Sequence, residues 1–176
     1  MLTENEERYC AGISRRIQKL REFLNQNELS TPPDPQEWHL FISGVRGILG
    51  NLSNDGSFIA SLLAKKFLFE KFGANFDAGE KAQGAPGIDI LVRTESGEAI
   101  AAEIKTTVPY QVVDFGAQQI DSLKKDFAKL VASGADHKFM FVTDPTAFNI
   151  LQKPKYTKYM PGIRLVHLGT GDEHAA

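Results

Sequence analysis

The chain has 176 residues, of which 42% are hydrophobic and 24% charged, and its formal net charge is −2. This length suits one domain with a substantial core. The near-neutral charge excludes a strongly basic, histone-like coating protein, but it is compatible with an enzyme that binds DNA through a local basic cleft. Composition by itself therefore indicates no function.

The sequence also predicts a compartment. Its single cysteine, Cys10, cannot form a disulfide within the chain, which favours a reducing environment. The longest apolar runs, 58–63 and 139–142, are too short to cross a bilayer, and the acidic first residues, MLTENEER, do not match a secretory signal. We therefore expect a cytoplasmic protein with no membrane partner.

Three helices are predicted in the first part of the chain. A helix from Glu4 to Asn27 carries an apolar stripe at a spacing of four, three and four residues, made of Ile13, Ile17, Leu20 and Leu24. The proline-rich run 30–35 ends it. A second helix is expected from about Gln36 to Leu49 and a third from about Ser57 to Phe72, with the segment 51–56 breaking and re-capping the chain between them.

After the third helix the pattern changes to strands. Residues 75–77 are a candidate short strand, and a glycine-rich link follows at 84–87. Segments 88–93 and 99–106 are predicted to form an antiparallel hairpin around a tight turn at 95–98.

The last third of the chain alternates helices with strands. A fourth helix is predicted from Gly116 to Ala132, with Asp114 as its N-cap, and a strand at 138–143 has the continuous apolar core of a strand covered on both faces. The remaining predicted segments are a short helix at 146–151, a basic loop at 153–159, a last strand at 163–168 and a frayed tail at 169–176. This order predicts an α/β fold, in which helices flank both faces of a mixed central sheet.

The predicted hairpin carries the candidate chemistry. Because side chains alternate along a strand, Glu103 and Lys105 share one face, and the position of the turn places Asp89 level with Glu103. Two carboxylates and an ammonium group within apolar strands are costly unless a partner such as a divalent cation compensates them. Lys105 would then lie beside an attacking water or a phosphoryl oxygen, and the carbonyl of Ile104 is a further candidate ligand for Mg²⁺.

A structural ion-pair network with no catalytic role is the alternative for these residues, since such networks perturb charges in the same way. Two features favour a catalytic site instead. The predicted cluster combines two acids with one base on one face, and the link Gly84-Ala85-Pro86-Gly87 leads directly into Asp89.

The segment from Gly84 to Asp89, followed fourteen residues later by Glu103-Ile104-Lys105, resembles the bipartite signature of the PD-(D/E)XK nuclease superfamily. The order of predicted elements over residues 55–170 resembles that superfamily's αβββαβ, restriction-endonuclease-like core, with residues 1–54 as extra N-terminal helices. The resemblance implies Mg²⁺-dependent hydrolysis of phosphodiester bonds in double-stranded DNA. It also implies that Asp89 and Glu103 are metal ligands and that Lys105 is the catalytic lysine.

Two features depart from the superfamily's pattern. Gly87 and Ile88 stretch the usual Pro-Asp dipeptide, and the start of the third helix lacks the glutamate that resolvase-like members often carry there. Glu70 and Glu80 are the candidate accessory metal ligands, with a solvated surface position as the alternative for both.

Several polar segments are candidate DNA contacts. Thr106 and Thr107 directly follow the signature. The fourth helix has a polar face, next to Gln119, that consists of Gln118, Ser122, Lys125 and Lys129. The basic loop interleaves tyrosines with Lys153, Lys155 and Lys158. Simple solvation is the alternative for each of these segments.

These expectations favour a sequence-specific type II restriction enzyme of a restriction-modification system, acting as a homodimer on a short palindromic site. The N-terminal helices would then supply dimer contacts or target recognition. Two alternatives stay open: a structure-specific repair or junction nuclease, and a catalytically silent DNA-binding module of the same fold. The four histidines have no metal-ligand spacing.

Overall fold

The computed structural model describes residues 1–32, 34–82, 84–111 and 113–175. Pro33, in the predicted turn, and Ala176, in the predicted tail, lie outside the described residues. The described chain divides into two compact units, Met1–Asp55 and Gly56–Ala176. Within the described ranges, no helix combines the length and the apolar character needed to cross a membrane.

The N-terminal unit contains two complete helices, α1 (Glu4–Gln26) and α2 (Pro35–Leu49), close to their predicted bounds. Each begins with a capping box, in which a side chain satisfies a backbone N–H group of the first turn. The ring of Phe23 lies directly over Gly44, where a Cβ atom would come within 2.5 Å of it. Glycine at this position therefore permits the two helices to approach closely.

Helix α3 (Leu52–Phe72) begins earlier than predicted. The Asn51 side chain accepts hydrogen bonds from the backbone N–H groups of residues 53 and 54, at 3.1 and 3.3 Å. Asn51 thus caps the helix, and the segment predicted as a break forms its first turn. Asp55, in that turn, accepts two hydrogen bonds of 2.6 and 2.7 Å from Arg16 of α1.

The C-terminal unit is built on a five-stranded mixed sheet in the order β1-β2-β3-β4-β5. The strands are β1 (Ile90–Arg93), β2 (Ala99–Lys105), β3 (His137–Val142), β4 (Ile163–His167) and β5 (Glu173–Ala175). The two outer pairs are antiparallel, and β3 is parallel to both of its neighbours. This confirms the predicted α/β class and the mixed sheet.

Helices cover both faces of this sheet. Helix α4 (Ala117–Ala132) connects β2 to β3, and α5 (Pro145–Leu151) and α6 (Pro154–Thr157) connect β3 to β4. Buried side chains of α4 and α5 pack with Ala101 of β2, whereas those of α3 pack with Ala102. Because successive residues of a strand point to opposite faces, the two buried clusters lie on opposite sides of the sheet.

The predictions for residues 75–77 and for the tail are wrong. Residues 75–77 form no strand, because the Asp77 side chain accepts a hydrogen bond from the N–H of Gly79 at 2.8 Å and fixes a turn instead. The tail is not frayed over residues 173–175, which pair with β4 as an antiparallel edge strand. Both segments are short, so tertiary contacts decide their conformation.

Asp114 anchors α6 and does not cap α4, whose N-cap is Gly116. Its carboxylate accepts hydrogen bonds from the Tyr156 hydroxyl and the Lys155 ammonium group. These bonds, chiefly the one from Lys155, lower the pKa of Asp114 to about 2. Burial, followed by the Asp114 carboxylate, raises the pKa of the Tyr156 hydroxyl. The segment predicted as a basic loop thus contains a short helix, α6, and is tied to the core through Tyr156.

We expect Tyr156→Phe to lower the free energy of unfolding by about 1 to 2 kcal/mol at pH 7, because it removes a charge-assisted hydrogen bond and keeps the ring. Urea unfolding measures this loss. Since the pKa of Asp114 lies below its ordinary value of 3.8, its stabilisation is complete above that pH and is lost as the pH falls towards 2. The difference between wild type and Tyr156→Phe should shrink over the same interval.

The exposed Tyr110 provides the matched control, and Tyr110→Phe should leave stability unchanged. Equal unfolding free energies for wild type and Tyr156→Phe at pH 7 would show that the bond to Asp114 contributes nothing.

Candidate active site at the β1–β2 hairpin

The hairpin places Asp89 level with Glu103. Ile90 pairs with Ala102 in the β1–β2 register, so the residue before Ile90 lies opposite the residue after Ala102, which is the alignment that the sequence predicts. Asp89 immediately precedes β1, and its Oδ2 accepts a hydrogen bond of 2.8 Å from the backbone N–H of Ile104. This bond fixes the Asp89 carboxylate against β2.

These residues line a cleft of about 380 Å³ between the hairpin, the glycine-rich link, α3 and α4. Among the described residues its lining includes four carboxylates and three ammonium groups, those of Asp77, Asp89, Glu103, Asp126, Lys81, Lys105 and Lys129. Glu103 lies deepest, with only 2% of its surface exposed, whereas Asp89 is at the exposed rim. The predicted triad therefore opens onto one cleft.

The glycine-rich link forms one wall of the cleft. Gly87 has φ +99°, a conformation that residues with a side chain rarely adopt. The ammonium group of Lys81 donates a hydrogen bond of 2.7 Å to the carbonyl of Ile88. The link is thus bent and held where it leads into Asp89.

Glu103 is an electrostatically costly carboxylate. Burial, then the charge of Asp89 and the hydrogen bond to it, and then the charge of Asp126 raise the pKa of Glu103 to about 8, while Lys129 opposes the shift. The site therefore disfavours a negative charge on Glu103 unless a proton or a cation compensates it.

Asp126 of α4 connects two lysines of the cleft, Lys105 and Lys129. Lys105 Nζ lies 2.5 Å from Asp126 Oδ2 and donates a hydrogen bond of 3.3 Å to the Ser122 hydroxyl. Lys129 Nζ donates a hydrogen bond of 2.7 Å to Asp126 Oδ1 and lies 3.4 Å from Glu103 Oε1. These contacts, chiefly the bond to Asp126, raise the pKa of Lys129.

Sequence analysis missed Asp126. Its side chain is only 7% exposed, and none of the described residues donates a hydrogen bond of acceptable angle to its Oδ2, although Lys105 neutralises that atom at short range. The available signal was its spacing from Ser122 and Lys129, four and three residues away, which places the three side chains along one edge of the helix. The sequence did not show that this edge faces the hairpin.

The candidate accessory residues lie elsewhere. Glu70 is exposed and lies 3.9 Å from Lys66, and Glu80 is also exposed. Neither lines the cleft, and Thr106 does not line it either, whereas Ile104 does. Glu70 and Glu80 thus lie at solvated surface positions and not beside the candidate metal ligands.

A second cleft, of about 250 Å³, adjoins Lys105 on its other side. Its lining includes Thr107, Tyr110, Gln118, Gln119 and Ser122. Gln119 has a structural role, because its Oε1 accepts hydrogen bonds from the N–H groups of Tyr110 and Gly116, at 3.2 and 2.9 Å. Its Nε2 donates one of 2.9 Å to the carbonyl of Val108. Gln118 is exposed.

The lysines predicted to contact DNA have different surroundings. Lys129 lines the first cleft, whereas Lys125 is exposed on the same helix. The three lysines after α5 each contact another group of the protein. Lys153 contacts the Val113 carbonyl at 2.7 Å, Lys155 contacts Asp114, and Lys158 contacts the Tyr159 ring. Binding of DNA by any of them stays a prediction.

The residues of the first cleft fit a hard divalent cation. The described residues contain no group of three or more His, Cys, Asp or Glu arranged to hold a metal ion. The donors available are the carboxylates of Asp89 and Glu103 and the carbonyl of Ile104, a set that suits Mg²⁺, which keeps several waters. The level position of Asp89 and Glu103 on the hairpin, with both side chains lining the same cleft, is the observation that supports this fit.

We expect Glu103→Gln to change the pH dependence of stability in EDTA. Because the pKa of Glu103 is raised to about 8, its contribution is fully present below pH 4.5, the ordinary pKa of a glutamate, and is lost as the pH rises through 8. The variant does not lose stability in this way, because glutamine does not ionise. At pH 9 it should therefore exceed wild type by on the order of 1 to 3 kcal/mol, or a few degrees in Tm.

Thermal unfolding between pH 5 and 9 tests this expectation, with the exposed Glu70→Gln as the matched control. A wild type whose Tm follows that of Glu103→Gln across the whole range would contradict it.

No protein-family model matches the chain, and no curated protein or solved structure matches it either. A function therefore cannot be transferred to the chain by similarity and has to be inferred from its own side chains. Those of the cleft are two level carboxylates, one of them buried, beside two lysines that share a third carboxylate.

Proposed function

We propose that the chain is a Mg²⁺-dependent endonuclease that hydrolyses phosphodiester bonds in DNA, with a PD-(D/E)XK-type site formed by Asp89, Glu103 and Lys105. One observation carries the proposal. The buried Glu103 is level with Asp89 on the hairpin, in a cleft that also contains Lys105. Two carboxylates and a lysine in this arrangement match the needs of metal-assisted phosphodiester hydrolysis.

The electrostatics argue against a purely structural ion-pair network. A structural network is stable when each buried charge has a partner of opposite sign. Here Lys129 lies 3.4 Å from Glu103, but burial and the carboxylates of Asp89 and Asp126 outweigh it, so that the pKa of Glu103 is still raised. An arrangement that costs stability in the absence of a cation is characteristic of a functional site.

Each residue has a distinct part in this proposal. Asp89, Glu103 and the carbonyl of Ile104 would hold the ion, which polarises the scissile phosphate and lowers the pKa of a bound water. The hydrogen bond from the Ile104 N–H keeps the Asp89 carboxylate oriented towards the cleft. Lys105 shares a strand face with Glu103, and its ammonium group stabilises the negative charge that develops on the phosphoryl oxygens.

The fold supports the same proposal. Helix α3, strands β1 and β2, helix α4 and the parallel strand β3 follow one another in the order of an αβββαβ, restriction-endonuclease-like core that lacks its first strand. The strand expected at 75–77 is replaced by a turn. Within the proposal, the chain acts as a homodimer that cuts both strands of a short palindromic site, as a type II restriction enzyme does.

Digestion of unmethylated plasmid and phage DNA with Mg²⁺, Mn²⁺ or EDTA tests the proposal. We expect metal-dependent cleavage that falls by about a hundredfold or more in each of Asp89→Asn, Glu103→Gln and Lys105→Ala, because each removes a ligand or a transition-state contact. The exposed acids outside the cleft supply matched controls, and Glu70→Gln and Glu80→Gln should cleave like wild type.

The pattern of products separates the forms of the proposal. Discrete fragments indicate sequence-specific cleavage by a restriction-type enzyme, and a preference for branched DNA indicates a structure-specific nuclease. Intact DNA with every metal would contradict nuclease activity and leave a silent DNA-binding module. Undiminished cleavage by Lys105→Ala would show that the activity does not use this site.

A further inference from the structure

The ammonium group of Lys129 lies between carboxylates of two different elements. It is 2.7 Å from Asp126 Oδ1 on its own helix and 3.4 Å from Glu103 Oε1 on β2. It also lies 3.5 Å from the carbonyl of Gly87 in the glycine-rich link. The Lys129 side chain is 42% exposed. It can therefore change rotamer with little disturbance of the buried core.

We propose that Lys129 is an internal counter-ion for Glu103 that competes with the divalent cation, and that Asp126 sets the strength of this competition. The inference rests on the proposed function, because it concerns the same cation site. It assigns to Asp126 and Lys129 a positioning role that is distinct from ligation and from catalysis.

Lys129 partly neutralises the charge that a divalent cation would neutralise. Its ammonium group lies 3.4 Å from Glu103 Oε1, close enough to offset the negative charge of that carboxylate. A cation held by Glu103 would lie close to this ammonium group, and like charges at such separations repel strongly in a partly buried site. Binding of the cation therefore has to displace Lys129 from Glu103, and the cost of that displacement reduces the affinity.

Asp126 remains an ion-pair partner for Lys129 when Lys129 is displaced from Glu103. The bond from Lys129 to Asp126 is shorter than its contact with Glu103, and the Asp126 carboxylate is buried and fixed on α4. When a cation approaches Glu103, Lys129 keeps a partner of opposite charge. The other oxygen of Asp126 forms an ion pair with Lys105. Without the charge of Asp126, both lysines would be left to pair with Glu103.

The two residues should therefore change cation affinity in opposite directions. In the full chain without DNA, we expect Lys129→Met to bind Mn²⁺ about tenfold more tightly than wild type and Asp126→Asn to bind it about tenfold more weakly, the usual size of effects from residues around a metal site. Isothermal titration calorimetry with MnCl₂ measures both affinities and needs no cleavage activity.

Exposed residues of the same helix provide controls with the same change in charge. Lys125→Met and Asp121→Asn alter the net charge of α4 as the test variants do, but they lie outside the cleft. We expect both to bind Mn²⁺ like wild type. Affinity that rises equally in Lys125→Met and Lys129→Met would reveal a general effect of net charge and would overturn the inference.

Other results would also overturn the inference. Unchanged or weaker Mn²⁺ binding in Lys129→Met would do so even if Asp126→Asn proved too unstable to measure. In another outcome, wild type binds Mn²⁺ while Asp89→Asn abolishes binding and Lys129→Met has no effect. That result would overturn this inference and leave the proposed function intact. Wild type that binds no Mn²⁺, or binds it equally well in Asp89→Asn, would remove both.

Discussion

Burial of the Glu103 carboxylate on an interior strand is the constraint from which the rest of the cleft follows. Strand β2 is hydrogen-bonded to β1 on one side and β3 on the other, and α4 covers the face on which Glu103 lies. Glu103 therefore has little access to water, and its charge has to be compensated by its neighbours. The lysines and carboxylates around Glu103 together determine how far its buried charge is compensated.

Helix α4 has two roles that depend on each other. Its apolar side chains, including Leu123 and Phe127, pack into the core on one side of the sheet. Its next residues around the helix, Asp126 and Lys129, contact Lys105 and Glu103 of β2. Packing of the apolar stripe therefore fixes the distances within the charged network, so that core stability and cleft geometry cannot vary independently.

The hairpin and the alignment of its two carboxylates could be predicted from the sequence. Strand alternation and the position of the turn are local properties, and they gave the alignment of Asp89 with Glu103 that the β1–β2 register shows. Helices α1 and α4 were also predictable, since their apolar stripes are long and regular. Such patterns specify which face of a strand or helix a side chain lies on. For residues of a single hairpin, that information was sufficient to predict which side chains are neighbours.

Contacts between elements distant in the chain were not predictable in the same way. Asp126 was overlooked because its importance depends on where α4 crosses the sheet, and Lys129 was assigned to DNA although it contacts Glu103. Asp114 was assigned to the helix that follows it, but its partner Tyr156 lies more than forty residues further along the chain. In each case a long-range ion pair or hydrogen bond outweighed the local preference.

The parallel pairing of β2 with β3 also has a consequence for how the protein is made. Asp89, Glu103 and Lys105 leave the ribosome before α4, and α4 leaves before β3, the strand that pairs with β2 and anchors the crossover. A nascent hairpin thus carries its carboxylates without Asp126 and Lys129 in place. The complete cleft requires the packing of α4, which connects these two strands, and parallel pairing between distant segments is intrinsically slow. Biosynthesis itself therefore delays assembly of the charged network until most of the C-terminal unit has been translated.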